Sequence, residues 1–439
     1  MKLSKIALIG LIVLLLPLFL KAQVLKDGKL SLNEDGSRYV KFTIVNQTWL
    51  RNTNFNEGST VFGYSKKNDW DIGIRRFRMQ FYGQLTDRVF IYSQIGENNF
   101  NGIQDRKFGF FVHDALGEYA VVKNKLSLGG GLAAWSGLAR FASPSVGSIL
   151  GVDAPLYQQS TNDVTDQFLR KLSVYAKGKL GKFDYRVALS DPMAFQKAAS
   201  YSGVISPDIA NFSSKPPKLQ WNGYFQWQFL EQESNLTPYM TGTYLGKKKV
   251  FNIGAGIVYQ PKAMWTMAAN KVDTVETNML QLSVDAYYDA PISEDGQAIS
   301  AYASVGHFDF GKNYIRNIAA MNPANGSTRK DVINGSGNGF PGYGTGNVIY
   351  TQVGYKLKDN LIGKTTLMPY VSLQHANYER LNQGMNYWDF GVNWLLNGHT
   401  SKLTLAYQNR PVFLTDANGK GEFSNRKGST IIQYQVFFN

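Results

Sequence analysis

Residues 219–231 read LQWNGYFQWQFLE. Trp221, Phe225, Trp227 and Phe229 fall on one face of an extended chain, and Gln220, Asn222, Tyr224, Gln226 and Gln228 on the other. That is a period of two, the signature of a strand with two different environments. The pattern recurs in residues 386–396, where Trp388, Phe390, Val392, Trp394 and Leu396 oppose Tyr387, Asp389 and Asn393. At the C-terminus Ile432, Tyr434, Val436 and Phe438 oppose Gln433, Gln435 and Phe437. Near the start, Phe77, Met79, Phe81 and Leu85 oppose Arg76, Arg78, Gln80, Tyr82 and Gln84. A soluble sandwich also alternates. Here the apolar face carries large aromatics and the polar face Gln, Asn, Tyr and Arg, as expected of a lipid-facing girdle and a wet lumen. The expected fold is therefore all-β: a transmembrane, antiparallel, up-and-down β-barrel with short periplasmic turns and long extracellular loops.

The first residues read differently. Lys2 and Lys5 precede an apolar run over residues 6–20, and Lys21-Ala22-Gln23 ends it. This is the layout of a signal peptide spanning 1–22, cleaved after Ala22, and it lowers the formal charge from +14 to +11. Residues 23–37 read as a periplasmic N-terminal segment and 38–439 as the barrel. The chain has no cysteine, which excludes disulfide frameworks and thiolate metal sites. With the signal peptide, this places the protein in a bacterial outer membrane, among lipid and lipopolysaccharide.

Strand-like segments number 17, but bacterial single-chain barrels have even counts. The long connections 52–71, 135–167, 191–218, 310–346 and 411–427 should all be extracellular, and the contradiction falls between 219 and 275. The weakest strand there is 237–246, with Pro238, Gly242 and Gly246. Reading 232–248 as one periplasmic connection leaves 16 strands, with 18 as an alternative, and makes 261–275 an extracellular loop. Sixteen strands imply a water-filled channel, because about eight already fill a lumen with side chains.

The alternation directs ten basic residues inward: Lys41, Arg51, Arg76, Arg78, Lys171, Lys177, Arg186, Lys356, Lys402 and Arg410. It directs six acidic ones with them: Asp114, Glu118, Asp184, Asp285, Asp289 and Asp389. Basic rings select anions, and guanidinium suits phosphate. The strongest channel-lining candidates are Arg76, Arg78, Lys41, Lys177, Arg186, Lys402 and Arg410. The connection 136–167 is long and rich in small residues, so it is the candidate constriction loop, with Arg140 and Asp153 as its charged positions. Residues 334–346 hold six glycines and read as a flexible extracellular loop; no GK[ST] follows, which argues against a phosphate-binding loop. The four histidines never fall at metal-ligand spacing and no GxSxG occurs, so no enzyme, cofactor, metal or nucleic-acid role is expected.

The segment IRRFRMQFYGQ at 74–84, the run TGTYLGKKKVFNIGAGIVYQ within 238–260, and DFGKNYIRN at 309–317 resemble the phosphate-selective porin O/P family in its Bacteroides-like form. That resemblance implies a trimeric 16-stranded channel with an inward-folded third loop and a preference for small anions such as phosphate. Only Arg76 and Arg78 carry over as lumen residues. The chain departs from the pattern in ending Phe438-Asn439 rather than on an aromatic, and in interspersing its arginines with carboxylates. The function expected is passive diffusion of small solutes with weak anion preference. A sugar or general porin is the alternative, and an adhesin or secretion-system barrel the alternative of a different class. Tyr82, Tyr175, Tyr224 and Tyr387 would form the aromatic track of a sugar porin.

Overall fold

The computed structural model describes residues 28–104, 109–135, 137–159, 170–192, 206–270 and 272–438. The signal peptide expected over 1–22 lies outside them, as do parts of 106–121 and 136–167 and the last residue, Asn439.

Sixteen antiparallel strands form one closed sheet. They are β1 (Tyr39–Asn54), β2 (Asn68–Gln84), β3 (Val89–Asn101), β4 (Phe111–Val122), β5 (Leu126–Ala133) and β6 (Lys171–Leu180). Next come β7 (Phe183–Asp191), β8 (Gln220–Gln228), β9 (Val250–Met267), β10 (Thr274–Pro291) and β11 (Ala298–Asp309). The rest are β12 (Gly346–Lys356), β13 (Thr366–Tyr378), β14 (Met385–Asn397), β15 (Ser401–Thr415) and β16 (Gly421–Phe438). Each pairs with its chain neighbours, and β1 closes on β16 from Ile44 opposite Phe438 to Thr53 opposite Ser429. Closure leaves no free sheet edge around the barrel, which a hydrocarbon environment demands. A short strand, Lys29–Ser31, pairs with Tyr39–Lys41 beside the end of β16.

The two faces sort as the alternation requires. Trp221, Phe390 and Phe438 are 59%, 46% and 41% exposed on the outside, while Gln228, Gln433 and Gln435 inside are fully buried. One register irregularity matters for the site. Gln47 on β1 pairs with Arg76 and Thr48 with Ile74, so Arg75 is an extra residue, a β-bulge. It turns Arg75 and Arg76 both inward.

Some boundaries differ from the sequence reading. The loop expected at 261–275 is only 268–273, because β9 and β10 run on together past the Gln260/Met264 bulge. The connection expected at 411–427 is only 416–420, for β15 and β16 continue their ladder to Thr415 and Gly421. The glycine cluster 334–346 is not a flexible loop. Phe340–Gly344 pairs with Ile315–Ile318 and is buried throughout. Glycine is needed there for close approach: a Cβ on Gly342 would stand 2.1 Å from the Ile318 side chain.

Candidate functional site

Three segments enter the barrel. The first is the extracellular connection between β5 and β6, described over 137–159. It runs through three short 3-10 turns and crosses the lumen. Backbone taken into a barrel needs partners for its carbonyls, and the inward polar side chains of the far wall provide them. Gln47 donates to Val146 O (3.0 Å), Gln435 to Gly147 O (2.7 Å) and Lys402 to Ile149 O (2.9 Å). Asn393 donates to Leu150 O (2.9 Å) and Arg76 to Val152 O (3.3 Å). Apolar side chains complete the anchor: Leu138, Phe141, Ile149, Leu150, Val152 and Tyr157 are buried. Asp153 then meets the bulge, accepting from Arg75 Nη2 at 2.9 Å and Arg76 Nη2 at 2.6 Å.

The second segment comes from the opposite mouth. The β8–β9 hairpin continues to Glu231 and Lys249. Residues 232–248 then leave the wall and turn up into the lumen rather than hanging in the periplasm. No strand forms over 237–246. Instead Met240 bridges Pro144 of the first loop, with Met240 N donating to Ser143 O and Ser145 N to Met240 O, both at 2.8 Å. Gly242 is required at this crossing, because a Cβ there would lie 2.4 Å from Ser148 O. The Arg140 guanidinium of the first loop grips the Glu233 carboxylate through both oxygens at 2.6 Å and stands 3.5 Å from the centre of the Tyr287 ring. Burial by itself raises the Glu233 carboxyl; Arg140 outweighs it, and the group lies below its ordinary value.

The third segment, 310–345, descends from the extracellular face. Arg51 donates to Ala320 O at 3.0 Å and to Met321 O. Gln374 donates to Gly342 O at 2.8 Å, and Phe340 stacks on Tyr387 with centroids 4.2 Å apart. Between this segment and the first loop lies a cavity of about 40 Å³, lined by Asp153, Asn338, Tyr387, Asp389, Gln408 and Arg410 among others. Two wider vestibules, of about 490 and 560 Å³, open at the turn-bearing end on either side of residues 232–248.

The structure places the sequence candidates as follows. Arg76, Arg78, Lys177, Arg186, Lys402 and Arg410 all point inward and are buried, and Lys41 is half-buried near the rim. Arg140 and Asp153 sit in the lumen-crossing loop. They do not form one patch, and four of the eight basic ones meet carboxylates: Arg76 with Asp153, Arg140 with Glu233, Lys177 with Glu118 (2.9 Å), and Arg186 with Asp184 (3.4 Å). Arg78 donates to Asn98 Oδ1 at 2.7 Å. Lys402 and Arg410 are held by neutral oxygens, those of Ile149 and of Asn56, Ser429 and Gly337. The sequence reading missed Arg75, Arg170 and Glu233. Arg75 carried its own warning, since strict alternation would put it in lipid beside Phe77. Arg170 is fully buried against Asp114 at 2.9 Å.

No protein-family model and no curated protein matches the chain. Solved structures do. The barrel is similar to OprB of Pseudomonas putida, with a TM-score of 0.55 at 9% identity over 91% of this chain and 94% of that one. The fold is that of an outer-membrane porin. The outer-membrane channel DcaP of Acinetobacter baumannii aligns over 92% of this chain and 99% of its own, at 11% identity and a TM-score of 0.49. OmpT of Vibrio cholerae in its trimer form aligns over 91% and 99%, at 10% and 0.46. The likeness is one of fold, with the outer-membrane setting that goes with it.

Proposed function

We propose that the protein is an outer-membrane diffusion channel of the porin type that passes small polar solutes with a weak preference for anions. The carrying observation is the lumen of this closed barrel: polar side chains such as Gln47, Asn393, Lys402 and Gln433 point into it, and two open vestibules lead toward it. The preference rests on the buried charges, twelve Arg and Lys against seven Asp and Glu. Fixed positive charge in a narrow pore raises local anion concentration. Phosphate, as the family resemblance implies, is the finer expectation, and Lys402 and Arg410 are the residues to carry it, being held by neutral groups. The protein is a channel rather than an enzyme on this reading, and a homotrimer. Strands β5 to β8 have only eight to ten residues against eighteen in β9 and β10, a low wall suited to a neighbouring subunit.

A second reading has its own observation. The cavity beside Tyr387 and Asp389 offers an aromatic face and oxygen acceptors, as an uncharged polyhydroxylated solute would need. Reversal potentials in a potassium chloride gradient across planar bilayers separate the two. A potential on the chloride side, collapsing with phosphate, supports the anion reading; a potential near zero with block by sugars supports the other. Chemical cross-linking in detergent tests the trimer.

A further inference from the structure

The connection between β8 and β9 has a placement that a passive turn does not need. We infer that residues 232–248 are a gate: a periplasmic segment latched into the lumen by the Arg140–Glu233 ion pair, which swings out to open the channel. This rests on the channel reading above.

Four features carry it. The segment is tethered at a narrow neck, where Glu231 N donates to Lys249 O at 3.0 Å and Lys248 Nζ to Gln232 O at 2.7 Å. Just inside the neck Leu245 and Gly246 have φ of 55° and 80°, a local reversal where the chain can pivot. Leu236, Tyr239 and Leu245 pack on apolar wall side chains, but much of the segment's hold on the wall is polar. Lys177 donates to Asn235 O and Leu236 O (2.7 and 2.9 Å), Arg170 to the Tyr239 hydroxyl (2.6 Å), and Thr243 to Asp289 (2.8 Å). Water can replace each of these when the segment leaves. The first loop buries more apolar surface, with Leu138, Phe141, Val146, Ile149, Leu150, Val152 and Tyr157 against Met240 and Leu245 here, and water cannot replace such contacts without cost. Finally, both flanks of the segment are wet, one vestibule reaching Asn235 and Lys177 and the other Leu245 and His399.

The latch joins the two mouths of the barrel. Arg140 belongs to a loop from the extracellular side and Glu233 to a connection from the periplasmic side. Glu233 also accepts from Tyr244 (2.8 Å) and Asn252 (2.5 Å). With the gate out, Lys177, Arg170 and Arg186 keep Glu118, Asp114 and Asp184, but Arg140 loses the Glu233 carboxylate and stands uncompensated beside the lumen, so opening should widen the pore and strengthen its anion preference together.

The absence of cysteine makes the test clean. Pro144→Cys with Met240→Cys joins the gate to the loop at their backbone bridge. In planar bilayers the oxidised pair should hold one small conductance at all voltages, and reduction should restore transitions to a larger, more anion-selective level. E233Q, without added cysteines, should raise the occupancy of that larger level about a hundredfold, the change expected on losing one partner of a buried ion pair. Identical conductance in oxidised, reduced and E233Q proteins overturns the gate while leaving the channel intact. A folded, inserted barrel that conducts in none of these states overturns both.

Discussion

Asp153→Asn isolates the charge at the crossing of loop and wall. The substitution keeps the shape and removes one negative charge from between Arg75 and Arg76, which are 1% and 0% exposed. Asp153 Oδ1 accepts from Arg75 Nε at 3.1 Å, Arg75 Nη2 at 2.9 Å and Arg76 Nη2 at 2.6 Å. Removing one member of a buried ion pair costs ~3–5 kcal/mol. The asparagine oxygen still accepts, and neutral hydrogen bonds are worth about half of charged ones. Water from the adjoining cavity can also enter, so ~2–3 kcal/mol is the reasonable range, a factor of roughly 30–150 in loop docking. The barrel ladders are untouched, so heat-modifiable migration should persist while the loop becomes more sensitive to trypsin. The electrical effect has a defined sign. One added positive charge acts over a Debye length of ~8 Å at 0.15 M salt and ~3 Å at 1 M. The reversal potential of Asp153→Asn should move toward chloride at low salt and converge on the parent at 1 M. Unchanged reversal potential and unchanged conductance at low salt would refute the placement of Asp153 beside the permeation path. Replacing Arg76 and Arg78 together by alanine would change more than charge: Arg76 also donates to Gln47 and Val152 O, and its loss would free the loop.

Acid should act through Glu233. Its carboxyl lies below the ordinary value of 4.5, so its contribution is present above about that pH and is lost as pH falls through the lower folded value. Conductance should stay flat from pH 8 to 5 and rise only below the ordinary carboxylate value, with Arg140, Arg186, Tyr244 and Asn252 the facing groups; a rise near pH 6 would point to another titrating residue. Gly242→Val should drive its side chain into Ser148 O and Ile149, 2.4 and 2.5 Å from the added Cβ, and push the gate outward, which accelerated periplasmic-side labelling of a cysteine placed at Asn235 would reveal. Phe438→Asp should lower the amount of barrel in the outer membrane, because Phe438 lies in the outward stripe of the closing strand. Charge on that face costs ~2–4 kcal/mol at mid-depth and less near the interface, so normal surface levels would mean the closing strand is not recognised through this stripe.

How far the sequence could be read follows from what alternation encodes. A strand residue with a lipid neighbour and a lumen neighbour declares its own side, so Trp221 and Gln220, or Phe390 and Asp389, could be sorted without coordinates. The rejection of 237–246 as a strand came instead from the even strand count, the placement of the long connections and Pro238. Alternation is silent on what an inward residue meets. Gln47, Lys402 and Gln435 look like channel lining in one dimension, yet each donates to a carbonyl of a loop 99 to 288 residues away in sequence. The same blindness hid the gate. Residues 232–248 carry turn signals, and turn signals end a strand without saying whether the chain then hangs outside or folds in. A single clue was local: Arg75 beside Arg76. Two adjacent arginines cannot both obey a period of two in a membrane wall, so one of them had to break the period. The bulge at Gln47/Thr48 is where it breaks, and Asp153 from the crossing loop is what meets both charges. A charge on the wrong face of an otherwise regular strand is therefore a usable mark of an inserted loop: lipid forbids the regular frame, and the irregular one delivers the charge to whatever fills the lumen.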